Sequence, residues 1–247
     1  MTAPAAVWGV GLGPGDPELL TVRADRLVRG AGVVAYFRKA GRPGQARRIV
    51  EGMLRADALE LAMEYPVTTE IEVADPAYAA ALGPFYDHWA DRLAAIAAGG
   101  REVVTLCEGD PFFYGSFMHL HARLSQRVPV RVVPGVTGMS ACWTATGAPI
   151  TWGDDALAVL CGTLPEDALA ERAARAEALV VMKLGRNLPK VRRALAAAGL
   201  LDRAWYVERG AMPGERALRL SERDDAPAPY FSMVLVHGRG RRPGGAT

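Results

Sequence analysis

The stretch Val7 to Thr21, V-W-G-V-G-L-G-P-G-D-P-E-L-L-T, decides how this chain is read. Val7 to Val10 is a short apolar run with the length of a buried strand. It runs straight into Gly11-Leu12-Gly13-Pro14-Gly15-Asp16, and a helix-like segment begins near Thr21. Strand, glycine turn and helix is the order that brings a backbone close to a small cofactor. A dinucleotide fingerprint places glycine first, third and sixth, with N–H groups facing the pyrophosphate. Here the fourth position is Pro14, which removes a donor, and the sixth is Asp16, which sets negative charge where a pyrophosphate would lie. A Walker phosphate loop fails too, because no Gly-Lys-Ser/Thr follows. The loop therefore suits a ligand that is neutral or cationic at that spot; the same letters also spell a tight turn that holds no ligand.

Length and composition bound the rest. At 247 residues, half of them hydrophobic, the chain suits one large or two smaller α/β domains with an ample core. A formal net charge of +2 is too small to argue for nucleic acid. No run approaches the roughly 18 apolar residues of a membrane span, and no basic segment precedes an apolar one at the N-terminus, so neither membrane nor signal peptide is expected. Cys107, Cys142 and Cys161 are odd in number and lack C-x-x-C spacing, which fits reduced thiols in a cytoplasm. His88, His119, His121 and His237 make no zinc pattern, and no metal is expected; His119 and His121 stand two apart on an expected helix and face different ways.

Working outward, strand and helix patterns alternate. Thr21 to Gly30 has helical spacing with Thr21 as N-cap candidate, Val33 to Phe37 reads as a strand, Gln45 to Leu54 as a short helix and Ala58 to Met63 as a strand. Pro76 to Ala98 is the longest helix, with Leu82, Phe85, Trp89, Leu93 and Ile96 at mostly three- and four-residue steps. Glu102 to Leu106 is a strand and Ser116 to Leu124 a helix. Such alternation predicts a largely parallel sheet covered by helices. From about residue 129 a second α/β domain is expected, so the domains are 1–128 and 129–247. Its strands are Val130 to Val133, Ala156 to Cys161, Leu179 to Met182, Ala204 to Val207, Ala217 to Leu220 and Phe231 to Val236. Helices are expected through Ala145, over Glu166 to Ala176 and over Leu188 to Ala198. The last two strands have no helix between them and are expected to pair antiparallel. The basic tail G-R-G-R-R-P-G-G-A-T is expected to be flexible and solvated.

Two more strand ends carry chemistry. Val104 to Ser116, V-T-L-C-E-G-D-P-F-F-Y-G-S, opens a buried strand into Glu108-Gly109-Asp110-Pro111, where parallel sheets collect ligands. Gly109 permits close backbone approach and Asp110 accepts hydrogen bonds from an amine or hydroxyl; alternatively Asp110 caps a helix. Val132 to Trp143, V-V-P-G-V-T-G-M-S-A-C-W, repeats the pattern, with Thr137 able to bond a ligand or cap a helix.

G-x-G-P-G-D, E-G-D-P-F-F-Y-G-S and P-G-V-T-G-M-S-A together resemble the tetrapyrrole methylases, S-adenosylmethionine-dependent methyltransferases of the cobalamin pathway, over about Val7 to Val236. The resemblance implies two α/β domains with the cofactor in the cleft between them, a homodimer, and C-methylation of a tetrapyrrole. It places S-adenosylmethionine against Pro14, Glu108, Gly109, Asp110, Phe113, Thr137, Gly138, Met182 in V-V-M-K-L and Ala211 in E-R-G-A-M-P. Close relatives have Y-x-P-K where this chain reads Y-F-R-K, and relatives often have glycine where Glu108 stands.

The loop chemistry agrees with that resemblance, since a sulfonium cofactor brings no phosphate. Methyl transfer to carbon needs alignment and exclusion of water rather than a protein nucleophile. A proton must then leave the ring, and Glu108 is assigned as its acceptor, the alternative being a plain hydrogen-bonding role. The substrate's carboxylates call for cations: Arg38, Lys39 and Arg42 after the second strand, and Lys183 and Arg186 beside Met182. Tyr36, Tyr65 and Tyr114 are candidates for an apolar wall against the macrocycle. Two competing readings are an NADP-dependent oxidoreductase, with Arg38 and Lys39 on a 2′-phosphate, and an RNA methylase or RNA-binding module. Pro14 and Asp16 oppose the first and the modest charge opposes the second.

Overall fold

A computed structural model describes residues 5–68 and 75–243. By internal packing the chain divides into two units, Met1–Thr137 and Gly138–Thr247. In the first unit the elements follow in order: β1 (Val7–Gly11), α1 (Val22–Gly30), β2 (Val33–Lys39), α2 (Gln45–Ile49), β3 (Leu59–Tyr65), α3 (Pro76–Ala98), β4 (Val103–Cys107), α4 (Phe117–Leu124) and β5 (Val130–Val133). The sheet order is β3-β2-β4-β1-β5, with every pairing parallel.

Residues alternate across this sheet as the two-residue period of a strand dictates. Val7, Val33, Ala35 and Phe37 join the core under α3 and α4, while Trp8, Val10, Val34 and Tyr36 join the core under α1 and α2. Thr21 caps α1 by accepting the Ala24 N–H at 3.1 Å, and Asp75 caps α3 by accepting that of Ala77 at 2.9 Å. The helix α2 ends at Ile49 rather than at the expected Leu54, and Gly52 follows at φ +76°, outside the helical range. The expected domain boundary at residue 129 falls before β5, yet β5 pairs with β1. The edge strand therefore belongs to the first sheet, and the division lies after Thr137.

The second unit holds α5 (Gly138–Ala145), β6 (Leu157–Cys161), α6 (Glu166–Ala174), β7 (Ala178–Met182), α7 (Leu188–Ala197), β8 (Ala204–Glu208), β9 (Arg216–Arg219) and β10 (Ser232–Val236). Its sheet order is β6-β7-β10-β8-β9; β6 and β7 run parallel and the other pairs antiparallel. One face packs on α6 and α7, the other on α5. The expected antiparallel pairing near the end is present, but β9 and β10 do not pair with each other. Each pairs with β8, which lies between them.

The tail also departs from expectation over its described part. The Gly238 N–H donates to the Ile150 carbonyl at 2.9 Å. Asp155 Oδ2 accepts the N–H of Trp152 at 2.8 Å and of Gly240 at 3.1 Å, and the Arg242 guanidinium lies 4.3 Å from the Trp152 ring centre. A carboxylate and an indole thus hold residues 238–242, so their solvation is partial. Residues 244–247 lie outside the described residues.

Candidate functional site

Because all strands of the first sheet run parallel, their C-terminal ends share one edge, and three glycine-bearing loops meet there. Gly13 and Gly109 form an isolated antiparallel bridge: Gly109 N–H donates to the Gly13 carbonyl at 2.7 Å, and Gly13 N–H to the Gly109 carbonyl at 3.4 Å. A Cβ on Gly11 would stand 2.6 Å from the Gly135 nitrogen, and one on Gly135 would stand 2.1 Å from the Gly109 carbonyl oxygen. Backbone meets backbone at both positions, which only glycine permits. Asp110 completes the junction, its Oδ1 accepting the Phe112 N–H at 2.8 Å and its Oδ2 the Gly135 N–H at 3.0 Å.

This arrangement decides what the loops can bind. The amides of Gly13, Gly109 and Gly135 are bonded within the junction, and the Leu12 N–H donates to the Cys107 carbonyl at 2.9 Å. Asp16 caps a short 3-10 turn, Pro17–Leu19, by accepting the Glu18 N–H at 2.8 Å. These four amides form no cradle for a pyrophosphate, and Asp16, Glu108 and Asp110 add negative charge. The residues present fit a nucleoside cofactor bearing a sulfonium and no phosphate.

Glu108, at the end of β4, is half-buried, and Oε1 accepts the Ala46 N–H at 3.0 Å at the start of α2. Burial pushes its carboxyl above the usual carboxylate range, against the pull of that hydrogen bond. The neighbouring Cys107 thiol is raised further still, by burial and then by the Glu108 charge. Phe113 is half-buried with its ring 4.9 Å from that of Tyr114 in an edge contact. Tyr114 is 45% exposed and holds φ +54°, a conformation disfavoured for an aromatic residue.

Among the cations, Arg38 and Lys39 end β2 at the same sheet edge. Arg38 bonds Glu64, its register partner on β3, while its Nε is buried without a hydrogen-bond partner. The Arg42 N–H donates to the Lys39 carbonyl at 3.0 Å, closing the loop beyond. Tyr36 stands apart from the expected wall: at 8% exposure its ring is in the core, and burial raises its hydroxyl pKa, with Glu60 adding to the effect. Tyr65 bonds Ser116 through its hydroxyl and stacks on Phe37 at 5.4 Å.

In the second unit β6, β7 and β8 end at one edge of their sheet. Met182 closes β7 half-buried rather than in the core, its carbonyl accepting the Gly162 N–H at 2.7 Å. Lys183 follows, exposed and at φ +57°, with Arg186 in the next turn, Gly185–Asn187. Beyond β8, Arg209 and Ala211 hold φ +55° and +54°. Thr137 ends the first unit half-buried and Gly138 opens α5, where an added Cβ would lie 3.3 Å from Met233 Cε. Strained backbone at Lys183, Arg209 and Ala211 was invisible in the sequence, as was the contact of Gly11 with Gly135. The one hint was the repeated glycine immediately after an apolar strand.

Two α/β units present glycine-rich or strained loops at the ends of their strands, and the bonded amides of Leu12, Gly13, Gly109 and Gly135 form no phosphate cradle, an arrangement that suits a phosphate-free cofactor. Residues 6–224 match the family described as Tetrapyrrole (Corrin/Porphyrin) Methylases, and the chain belongs to it. The chain is 56% identical over 235 residues, 95% of its length and 96% of the relative's, to a precorrin-2 C(20)-methyltransferase of Sinorhizobium sp. It is 30% identical over 236 residues to a cobalt-precorrin-2 C(20)-methyltransferase of Salmonella typhimurium, covering 94% of this chain and 95% of the other. Among solved structures, the uroporphyrin-III C-methyl transferase of Thermus thermophilus complexed with S-adenosyl homocysteine superposes with a TM-score of 0.64 at 26% identity, covering 94% of this chain and 97% of that one.

Proposed function

We propose that this chain transfers a methyl group from S-adenosylmethionine to meso carbon 20 of metal-free precorrin-2, giving precorrin-3A in cobalamin synthesis, and that it works in the cytoplasm as a homodimer. The similarity to the Sinorhizobium enzyme over nearly the whole of both chains carries the substrate and position. The lower identity to the cobalt-using enzyme favours the metal-free ring. Among the described residues no helix is long and apolar enough to cross a membrane.

When bound, S-adenosylmethionine supplies a methyl group activated by its sulfonium. Pro14, Gly109, Asp110, Phe113 and Thr137 in the first unit, with Gly138, Met182 and Ala211 in the second, bind and orient it. Asp110 does so by fixing the loops, since both its oxygens accept backbone N–H bonds. The nucleophile is the ring carbon itself, so the chain supplies alignment, water exclusion and a place for the departing proton. Glu108 takes that proton from carbon 20, and its raised pKa makes it a better base than a solvated carboxylate. Arg38, Lys39, Lys183 and Arg186 meet the substrate's carboxylates. The core position of Tyr36 makes its part indirect, through the packing beneath Arg38.

Incubation with precorrin-2 and methyl-labelled S-adenosylmethionine, followed by location of the label by NMR, tests the proposal. Label at carbon 20 is expected. Label at another carbon, turnover with the cobalt-loaded ring alone, or tight NADPH binding without S-adenosylhomocysteine binding would overturn it.

A further inference from the structure

Past β8 the backbone does something costly twice within three residues. Arg209 and Ala211 both stand at positive φ, flanking Gly210. An L-residue keeps that conformation only where its surroundings impose it. For Arg209 and Gly210 the cause is plain. The Arg209 N–H donates to the Phe231 carbonyl at 2.7 Å, and Gly210 lies so close to α5 that an added Cβ would stand 3.0 Å from the Cys142 nitrogen and 3.1 Å from its Sγ.

Ala211 is held differently. Its N–H donates to Glu215 Oε2 at 2.7 Å. The Met212 N–H donates to the Arg209 carbonyl at 2.9 Å, and the Glu215 N–H to the Met212 carbonyl at 3.0 Å. Gly214, at φ +81°, turns the chain back so that the Glu215 side chain reaches its target. We propose that Glu215 is a positioning residue that locks Ala211 in its left-handed conformation and so sets the segment that meets the cofactor. This inference rests on the cofactor role given to Ala211 above. With its amide occupied by Glu215, Ala211 presents its methyl group and its carbonyl oxygen, so the ligand group facing it is apolar or an N–H or O–H donor.

Calorimetric titration of the full chain with S-adenosylhomocysteine tests this. Glu215→Ala weakens binding about five- to tenfold, the scale of one lost hydrogen bond, while kcat at saturating methyl donor stays within about twofold. Glu215→Gln binds within about twofold of the parent, because a carboxamide oxygen accepts the same N–H. In an Ala211→Gly background, where positive φ is free of strain, Glu215→Ala costs less than about twofold. Parent-like binding by Glu215→Ala, or the full loss with glycine at 211, overturns the proposal; the second result would mean that Glu215 acts on the ligand itself. Should the parent bind no S-adenosylhomocysteine, the proposed function falls separately. Amide hydrogen exchange at Ala211 then decides the inference: fast exchange in Glu215→Ala alone supports it, and equal rates in all three proteins overturn it.

Discussion

Asp110 Oδ2 accepts the backbone N–H of Gly135 at 3.0 Å, so one carboxylate at the end of β4 holds the loop that leaves β5. Its other oxygen holds Phe112. A part-buried hydrogen bond to a charged group contributes about 1.5–3 kcal/mol, and Asp110→Ala removes one such bond, to Gly135, with a second, exposed one to Phe112. Unfolding in urea should show a loss of at least about 2 kcal/mol, with S-adenosylhomocysteine binding weakened tenfold or more. Asp110→Asn keeps one acceptor oxygen and should fall between. Gly135→Ala should be the worse lesion, because its Cβ would stand 2.1 Å from the Gly109 carbonyl oxygen and backbone cannot yield cheaply.

The bond Glu108 makes to the Ala46 N–H and the base role proposed for it are separated by a pair of substitutions. Glu108→Gln keeps an oxygen for the Ala46 N–H but cannot take a proton; Glu108→Ala loses both. If Glu108 is the base, Glu108→Gln lowers kcat a hundredfold or more with KM for the tetrapyrrole little changed. The parent's kcat then falls on acidification through a pKa above the usual carboxylate range, and that acid limb disappears in the variant. Stability carries the opposite sign. A carboxyl whose folded pKa is raised supports folding below its unfolded pKa, and that support is lost as pH rises through the folded value. The melting temperature of Glu108→Gln should therefore gain on the parent as pH rises from the usual carboxylate range through the raised folded value. Near-parent turnover by Glu108→Gln would leave Glu108 as the anchor of α2 alone.

The alternation of strand and helix was readable because each period is written in side chains: Val7, Val10, Val33 and Phe37 for the sheet, Leu82, Trp89 and Leu93 for α3. The end of the first unit was not readable. Val130 to Val133 carries no mark of which sheet it joins, and only the pairing of β5 with β1 settles that. Of the site, Gly13, Glu108, Gly109 and Asp110 were legible from glycines and carboxylates after apolar runs. What their groups do was not: the letters leave open that Asp110 spends its oxygens on Phe112 and Gly135. Tyr36 misled for a related reason, since a tyrosine two residues before Arg38 shares its face of the strand but sits one pleat deeper, in the core.

Arg38 is bonded to Glu64 across adjacent strands, so the substrate carboxylate proposed for Arg38 would have to compete with a resident one. The pair is partly exposed and contributes little to folding, about 0–1 kcal/mol. Its weight should be felt in binding instead. Arg38→Ala should raise KM for the tetrapyrrole about tenfold and leave the affinity for S-adenosylhomocysteine unchanged. Glu64→Gln, which frees the guanidinium, should lower that KM two- to fivefold, an advantage that added salt erodes. Steady-state kinetics on both variants, with salt varied, provides the check; a KM unchanged in both would remove Arg38 from substrate binding.

Asp155 offers the clearest test of the C-terminal segment. Its Oδ2 accepts two amides, from Trp152 and from Gly240, and a Cβ on Gly240 would stand 2.2 Å from the Trp152 carbonyl oxygen. This is a built contact between two loops, which a solvated tail would lack. Losing both bonds should cost about 1–3 kcal/mol, or roughly 2–12 °C in melting temperature for a chain of this size. Asp155→Ala and a chain ending at His237 both remove the bond between Asp155 and Gly240, so combining them should cost less than the sum of the two. The Arg242 guanidinium, although 4.3 Å from the Trp152 ring centre, belongs to an exposed residue. Arg242→Ala should shift the melting temperature by about 1–4 °C, since exposed cation–π pairs are worth about 0.5–1 kcal/mol. Additive losses from the substitution and the truncation would show that Asp155 and the tail act independently, and the contact would then have no part in stabilising the second unit.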